Sequence, residues 1–284
     1  MHIQLWSLIT ATKICGEIKL IITDFKSIDF TRYNRVFAFG CSFTQYRWPT
    51  WADIMGEQCK SAEFRNYGKS GAGNLFISTH ISQIDRMLKF TDTDLVLVMW
   101  STFLREDKYI NKEWMTPGNI FTQDILPKDY VRKYADVRGY LIRDMGIIDN
   151  ATANLEHNKA HVINLLSVPA SYQSDHTADD VSDVIELYSP LIRKFPISMF
   201  EHFGKWRHGH TYYDNGQAHK TGGAMFQDYH PNTLDYFNYL KHLNFPFTAE
   251  VEKYAHDIKT LCDTYTSIEE FSFTPSRYMQ QKIL

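Results

Sequence analysis

Asp94-Leu95-Val96-Leu97-Val98-Met99-Trp100 is apolar without a break from Leu95 onward. A strand with one wet face alternates apolar and polar side chains. A strand apolar at every position is buried on both faces, as in the middle of a parallel sheet covered by helices. Working outward, Val36-Phe37-Ala38-Phe39 has the same character and ends in Gly40, and His161 to Val168 repeats it. A shorter strand is expected over Ala62 to Tyr67, and a fifth around Phe195 to Phe200. Between them lie stretches with helical spacing: Trp48 to Glu57, Asn74 to Lys89 with Leu75, Ile77, Ile81, Ile84 and Leu88 on one stripe, and about Ala135 to Lys159. Asn232 to Leu243 and Ala249 to Cys262 read as closing helices. The alternation predicts an α/β fold with a central parallel sheet of about five strands.

The 284 residues, 44% hydrophobic and 22% charged, suit one domain with insertions. Residues 1–30 read as an N-terminal extension with two β-like segments, 105–134 and 201–224 as insertions, and 244–284 as a C-terminal helical segment and tail. Loops this long in a compact domain are commonly functional or disordered.

The net charge of -3, without a run of five or six basic residues, argues against nucleic-acid binding. Nothing approaches the ~18 consecutive apolar residues of a membrane helix. The start, Met1-His2-Ile3-Gln4-Leu5-Trp6, lacks a basic n-region, and Lys13, Glu17 and Lys19 interrupt the next stretch. That argues against a signal peptide and for cytoplasmic synthesis, with association with a virion left open. Cys15, Cys41, Cys59 and Cys262 have neither a C-x-x-C pair nor zinc-site spacing, and are expected as free thiols. No metal or cofactor is expected. Oligomeric state is not legible.

In an open parallel sheet the ligand lies beyond the carboxyl ends of the strands, so the residues just past each strand carry the chemistry. After the first strand comes Gly40-Cys41-Ser42-Phe43-Thr44. A Ser at a tight turn there turns its hydroxyl to the crevice and offers its own N–H to an oxyanion; capping of the next helix is the ordinary alternative. After the second strand comes Asn66-Tyr67-Gly68-Lys69-Ser70-Gly71-Ala72-Gly73-Asn74, whose glycines let backbone N–H groups face a bound group. It lacks the order of a nucleotide-binding loop. Near the end stands Asp228-Tyr229-His230-Pro231, a candidate acid and base or, more plainly, a helix start.

Taken together and in this order, the three blocks resemble those of the SGNH (GDSL-like) hydrolases. Phe39-Gly40-Cys41-Ser42-Phe43-Thr44 is similar to the first block, with Gly-Cys-Ser where the family has Gly-Asp-Ser. Asn66-x-Gly68-x-Ser70-Gly71 is similar to the second, and Asp228-x-His230-Pro231 to the last. The resemblance spans roughly residues 35–243. It implies a flavodoxin-like three-layer α/β/α fold, a Ser42, His230 and Asp228 triad, and oxyanion N–H groups from Ser42 and Gly71. Two departures stand out. Phe103 occupies the place of the family's third-block Asn, leaving Arg105, Thr102 or a loop residue as alternative donors that the sequence does not choose between, and one residue rather than two separates Asp228 from His230.

The implied reaction is hydrolysis of an ester through an acyl-serine, with His230 as base. The favoured substrate is a small-molecule or glycan ester, an O-acetyl on a carbohydrate being the specific expectation, with Arg105, Trp206 and Tyr212 as binding residues. An inactive module that keeps the fold, and an O-acyltransferase using the same serine, are the alternatives. Cys41 as nucleophile is weighed and set aside in favour of a small buried thiol. His202, His208, His210 and His219 read as loop histidines bordering the site rather than metal ligands, since no matched carboxylate or Cys set accompanies them.

Overall fold

A computed structural model describes residues 21–121, 126–170, 181–203 and 230–262. In chain order its strands are β1 (Arg35–Phe39), β2 (Glu63–Asn66), β3 (Asp94–Trp100), β4 (Lys108–Ile110), β5 (Glu113–Met115) and β6 (His161–Leu166). The helices are α1 (Trp51–Gln58), α2 (Asn74–Leu88), α3 (Lys128–Tyr134), α4 (Val137–His157), α5 (Ser182–Leu187), α6 (Ser189–Ile192), α7 (Met199–Phe203), α8 (Thr233–His242) and α9 (Ala249–Cys262).

The architecture is α/β, with a four-stranded parallel sheet in the order β2-β1-β3-β6. Helix α2 packs on α4, whereas α1 packs on α8 and α9. Right-handed crossovers require this segregation: β1 to β2 runs one way along the sheet and β2 to β3 to β6 the other, so their helices fall on opposite faces. Every residue of β3 and β6 is buried. The amino ends of β1 and β3 are pinned where Arg35 Nε and Nη2 donate to the two oxygens of buried Asp94 at 2.7 and 2.6 Å. Such a two-pronged pair fixes register as well as contributing charge.

The fifth strand expected over Phe195 to Phe200 is not formed. Pro196 has no N–H to give a ladder. Ser198 and Glu201 instead close a reciprocal cap, Ser198 N to Glu201 Oε2 at 2.9 Å and Glu201 N to Ser198 Oγ at 3.2 Å, which starts α7. The free edge of β6 is met by the N-terminal segment: Ile21 bridges Val162 in parallel, and Ile22 N donates to Val162 O at 2.8 Å. Two 3-10 turns, Phe25–Ser27 and Phe30–Arg32, then lead to β1. Within the described part of the extension that single bridge is the β-like element; residues 1–20 lie outside the described residues.

Helix α1 begins at Trp51, not Trp48. Thr50 and Asp53 form a capping box, with Thr50 N donating to Asp53 Oδ2 at 2.8 Å. The insertion at 105–134 folds into the antiparallel β4–β5 hairpin and α3. Cys41, Cys59 and Cys262 are buried free thiols, and Cys15 lies outside the described residues. Among the described residues no helix is long and apolar enough to cross a membrane.

Candidate active site

The strand order reverses direction between β1 and β3, which makes their carboxyl ends the switch point where open α/β sheets bind ligands. Ser42 lies there, 6% exposed, in a turn closed by Thr44 N and Gln45 N donating to Cys41 O at 2.9 and 3.1 Å. The turn is tight enough to demand Gly40: a Cβ there would stand 1.9 Å from Thr44 Oγ1 and 3.0 Å from Met99 O. Cys41 is fully buried in the core, so the thiol faces away from the rim that Ser42 occupies.

The glycine-rich loop lies beside this turn. Asn66 ties the two together, donating from Nδ2 to Thr44 O at 2.8 Å and accepting from Gly68 N at 2.9 Å. Lys69 N donates to Gly40 O at 3.1 Å. Gly71 adopts φ +74°, and a Cβ there would come within 2.1 Å of Thr116 O. Among the described residues the N–H groups of Ser42 and Gly71 meet no acceptor, and neither does the Ser42 hydroxyl. Ser42 is buried and Gly71 half-buried, and a buried donor without an acceptor is uncommon away from sites that receive a ligand or water.

Three residues whose role the sequence does not mark hold this loop. Asp107 accepts from Gly73 N and Phe76 N, each at 2.8 Å, and so caps the start of α2. Burial raises its pKa above the ordinary carboxylate value against the pull of those two amides. Asn74, fully buried, donates to Ser101 O and Asp144 Oδ2 and accepts from Ser101 N, fastening the loop to the end of β3. Asp144 is pushed up to about 6 by burial, opposed by the adjacent Arg143 guanidinium. The sequence offers no signal for these contacts, because each partner lies about 30 or more residues away. Arg105, expected at the substrate, is 8% exposed, and its Nη1 donates to Ala72 O at 2.6 Å. It thus holds the backbone of the glycine loop.

His230 arrives from the other end of the chain. Its ring stacks on Tyr46, with centroids 3.7 Å apart and planes 16° apart, and lies 5.0 Å from the Phe43 ring. The segment is fastened by Trp48 Nε1 to Pro231 O and Thr233 Oγ1 to Pro49 O, both 2.7 Å, and α8 opens with an Asn232/Asp235 capping box. The imidazole is therefore beside the residue next to Ser42. No hydrogen bond joins Ser42 to His230. Phe103, in place of an amide side chain, is buried in the core at 3% exposure.

No family model and no curated protein matches the chain. Among solved structures, the chain is similar to a member of the lipolytic protein G-D-S-L family from Veillonella parvula DSM 2008, at 17% identity and a TM-score of 0.39, over 74% of this chain and 93% of that one.

Asp228, Trp206 and Tyr212 lie outside the described residues, as do His208, His210 and His219. His202 is not a loop residue: it sits on α7 against Tyr239 and His242, and burial, reinforced by His242, lowers its pKa. Among the described residues no group of three His, Cys, Asp or Glu is arranged to hold a metal ion.

Proposed function

We propose that the chain is a serine esterase of the SGNH (GDSL-like) type, acting through an acyl-enzyme on Ser42. The observation that carries this reading is the pair of acceptor-free amides, Ser42 N–H and Gly71 N–H, at the switch point beside an acceptor-free serine hydroxyl. Donors held in place before the reaction stabilise the negative charge that develops on a carbonyl oxygen as it is attacked. His230 removes the Ser42 proton during attack and returns it to the leaving alcohol. Water then attacks the acyl-serine by the same route in reverse. Asp228 orients the imidazole. Arg105 supports the loop that carries Gly71 and borders the bound ester.

In the resting arrangement the imidazole is held on Tyr46. Catalytic hydrogen bonds often tighten only when substrate is bound, and this reading requires the ring to move off Tyr46 toward Ser42. The substrate class is an ester of a small molecule or glycan, with O-acetylated carbohydrate the form proposed; Trp206 and Tyr212 would supply stacking faces. If a sugar hydroxyl takes the place of water, the same serine performs O-acyl transfer.

A second reading, a binding module that keeps the fold without the reaction, is favoured by two observations: the absent Ser42–His230 hydrogen bond and buried Phe103 in place of a third donor. Hydrolysis of p-nitrophenyl acetate separates the two. The esterase reading predicts turnover that Ser42→Ala abolishes and His230→Gln lowers by roughly 10²–10⁴-fold. Turnover equal in wild type and Ser42→Ala, or none in a folded sample, supports the module.

A further inference from the structure

The β4–β5 hairpin takes no part in the chemistry at Ser42. Its turn residues, Asn111 and Lys112, have φ of 52° and 69°, the pair of left-handed residues that makes the tightest hairpin connection. Such a turn fixes the register: Tyr109 stands opposite Trp114, and Ile110 opposite Glu113. Side chains alternate along a strand, so Tyr109 and Trp114 share one face of the hairpin, and Ile110 and Glu113 the other. A two-stranded ribbon is marginal by itself. This one is anchored by Trp114, whose ring meets that of Phe76 edge-on with centroids 5.6 Å apart. Phe76 is buried in the first turn of α2, where Asp107 accepts its N–H.

The face that carries the two rings continues into the active site. Thr116 lies two residues beyond Trp114, about 7 Å along an extended chain. Its Oγ1 donates to Ser70 O at 2.9 Å, and its carbonyl oxygen lies against Gly71. Lys69, next to Ser70, places its ammonium 5.7 Å from the centre of the Phe76 ring that also receives Trp114. Tyr109 and Trp114 form a corner, with centroids 5.6 Å apart and planes 70° apart. Tyr109 is 60% exposed and Trp114 only partly buried. Among the described residues the Tyr109 hydroxyl and Trp114 Nε1 have no hydrogen-bond partner, and the Lys69 ammonium has no ion pair.

Resting on the esterase reading, we propose that the Tyr109 and Trp114 face of this hairpin is the subsite for the alcohol side of the ester, and that this alcohol is a glycan of pyranose rings with equatorial substituents. Such a sugar has two apolar C–H faces and a rim of hydroxyls. Tyr and Trp match both parts, the ring face taking the C–H groups and the polar tip a hydroxyl. An axial hydroxyl would interrupt the apolar face. A lipid chain or an apolar peptide would strip water from the Tyr109 hydroxyl, the indole N–H and the Lys69 ammonium and give them nothing in exchange. The two rings touch bound substrate away from the reacting carbonyl, so they act on KM for glycan esters.

The test measures kcat and KM on partially O-acetylated cellotriose and on p-nitrophenyl acetate in Tyr109→Ala, Trp114→Phe and Ile110→Ala. Tyr109→Ala removes an exposed ring. Trp114→Phe keeps an aromatic ring against Phe76 and removes the indole N–H. Ile110→Ala removes an apolar group, 46% exposed, from the opposite face of the hairpin. The expected result in Tyr109→Ala is a KM for acetylated cellotriose raised roughly 10-fold, with kcat little changed and the kcat/KM preference for the glycan over p-nitrophenyl acetate reduced to match. Trp114→Phe lowers that preference to a smaller extent, and Ile110→Ala keeps it. A preference unchanged in Tyr109→Ala or Trp114→Phe, or reduced equally in Ile110→Ala, overturns the subsite. So does Ser42-dependent turnover of p-nitrophenyl acetate with none of acetylated cellotriose, and in all these cases the esterase reading stands. Absence of Ser42-dependent turnover of either ester overturns both.

Discussion

Gly71 concentrates the requirements of the site in one residue. Its φ of +74° falls in the left-handed region that a side chain makes costly, and Thr116 O fills the space where a Cβ would go, 2.1 Å away. Gly71→Ala is therefore expected to lose roughly 1–3 kcal/mol of stability from backbone strain alone. The amide it carries would also shift, with a loss of kcat larger than the loss of stability explains. Urea unfolding alongside esterase kinetics checks this; a variant of wild-type stability and kcat contradicts it. The turn at Gly40 and the glycine-rich loop were legible in the sequence, because glycines packed this closely announce tight local turns. Tyr46, which stacks on His230, was not, since an aromatic residue in a loop carries no mark of what it will touch.

At the scale of elements, the loops that form the site are held by buried polar clamps. Asp144 on α4 accepts from Asn74 at the start of α2, and Asn74 in turn holds the backbone of Ser101 after β3. The same burial makes Asp144 costly when ionised. Its folded pKa, pushed up to about 6, exceeds the ordinary 3.8, so between these values the folded state binds more protons than the unfolded state. The contribution of Asp144 to stability is thus most favourable below about pH 4 and declines as pH rises through 6. A shift of that size corresponds to about 3 kcal/mol. The stability of wild type minus that of Asp144→Asn is expected to fall by roughly that amount between pH 4 and pH 7, because the amide does not titrate. Chemical denaturation of both proteins across that range measures it, and a difference that stays flat with pH contradicts it.

Element boundaries were legible where the apolar pattern and the local caps agree. β3 and α9 begin and end where the periodicity puts them. The misread span, Phe195 to Phe200, is apolar enough for a strand, but Pro196 and the Ser198/Glu201 cap outweigh that pattern. The 105–134 insertion has little apolar periodicity of its own. Its structure comes from contacts with the glycine loop, such as Gly118 N to Gly71 O at 3.1 Å and Thr116 Oγ1 to Ser70 O at 2.9 Å, which only the folded chain brings together.

On the scale of the whole molecule, a parallel sheet gathers distant sequence at one rim. Ser42 comes after β1 and Gly71 after β2, and His230 precedes α8, yet the first two share a hydrogen-bonded loop system and His230 packs on the residue next to Ser42. A parallel sheet covered by helices was foreseeable from the alternation of elements, whereas the strand order β2-β1-β3-β6 is set by pairings that the alternation does not mark. The parallel bridge from Ile21 to the edge of β6 was not foreseeable either, because an edge pairing of one residue leaves no periodic trace. The central claim, that Ser42 is the nucleophile of this rim, is tested most directly by treating the native protein with a fluorophosphonate and locating the adduct by peptide mass spectrometry. The account predicts one phosphonyl group per chain, on Ser42. A folded protein that takes up no label, or carries it on any other residue, contradicts the account.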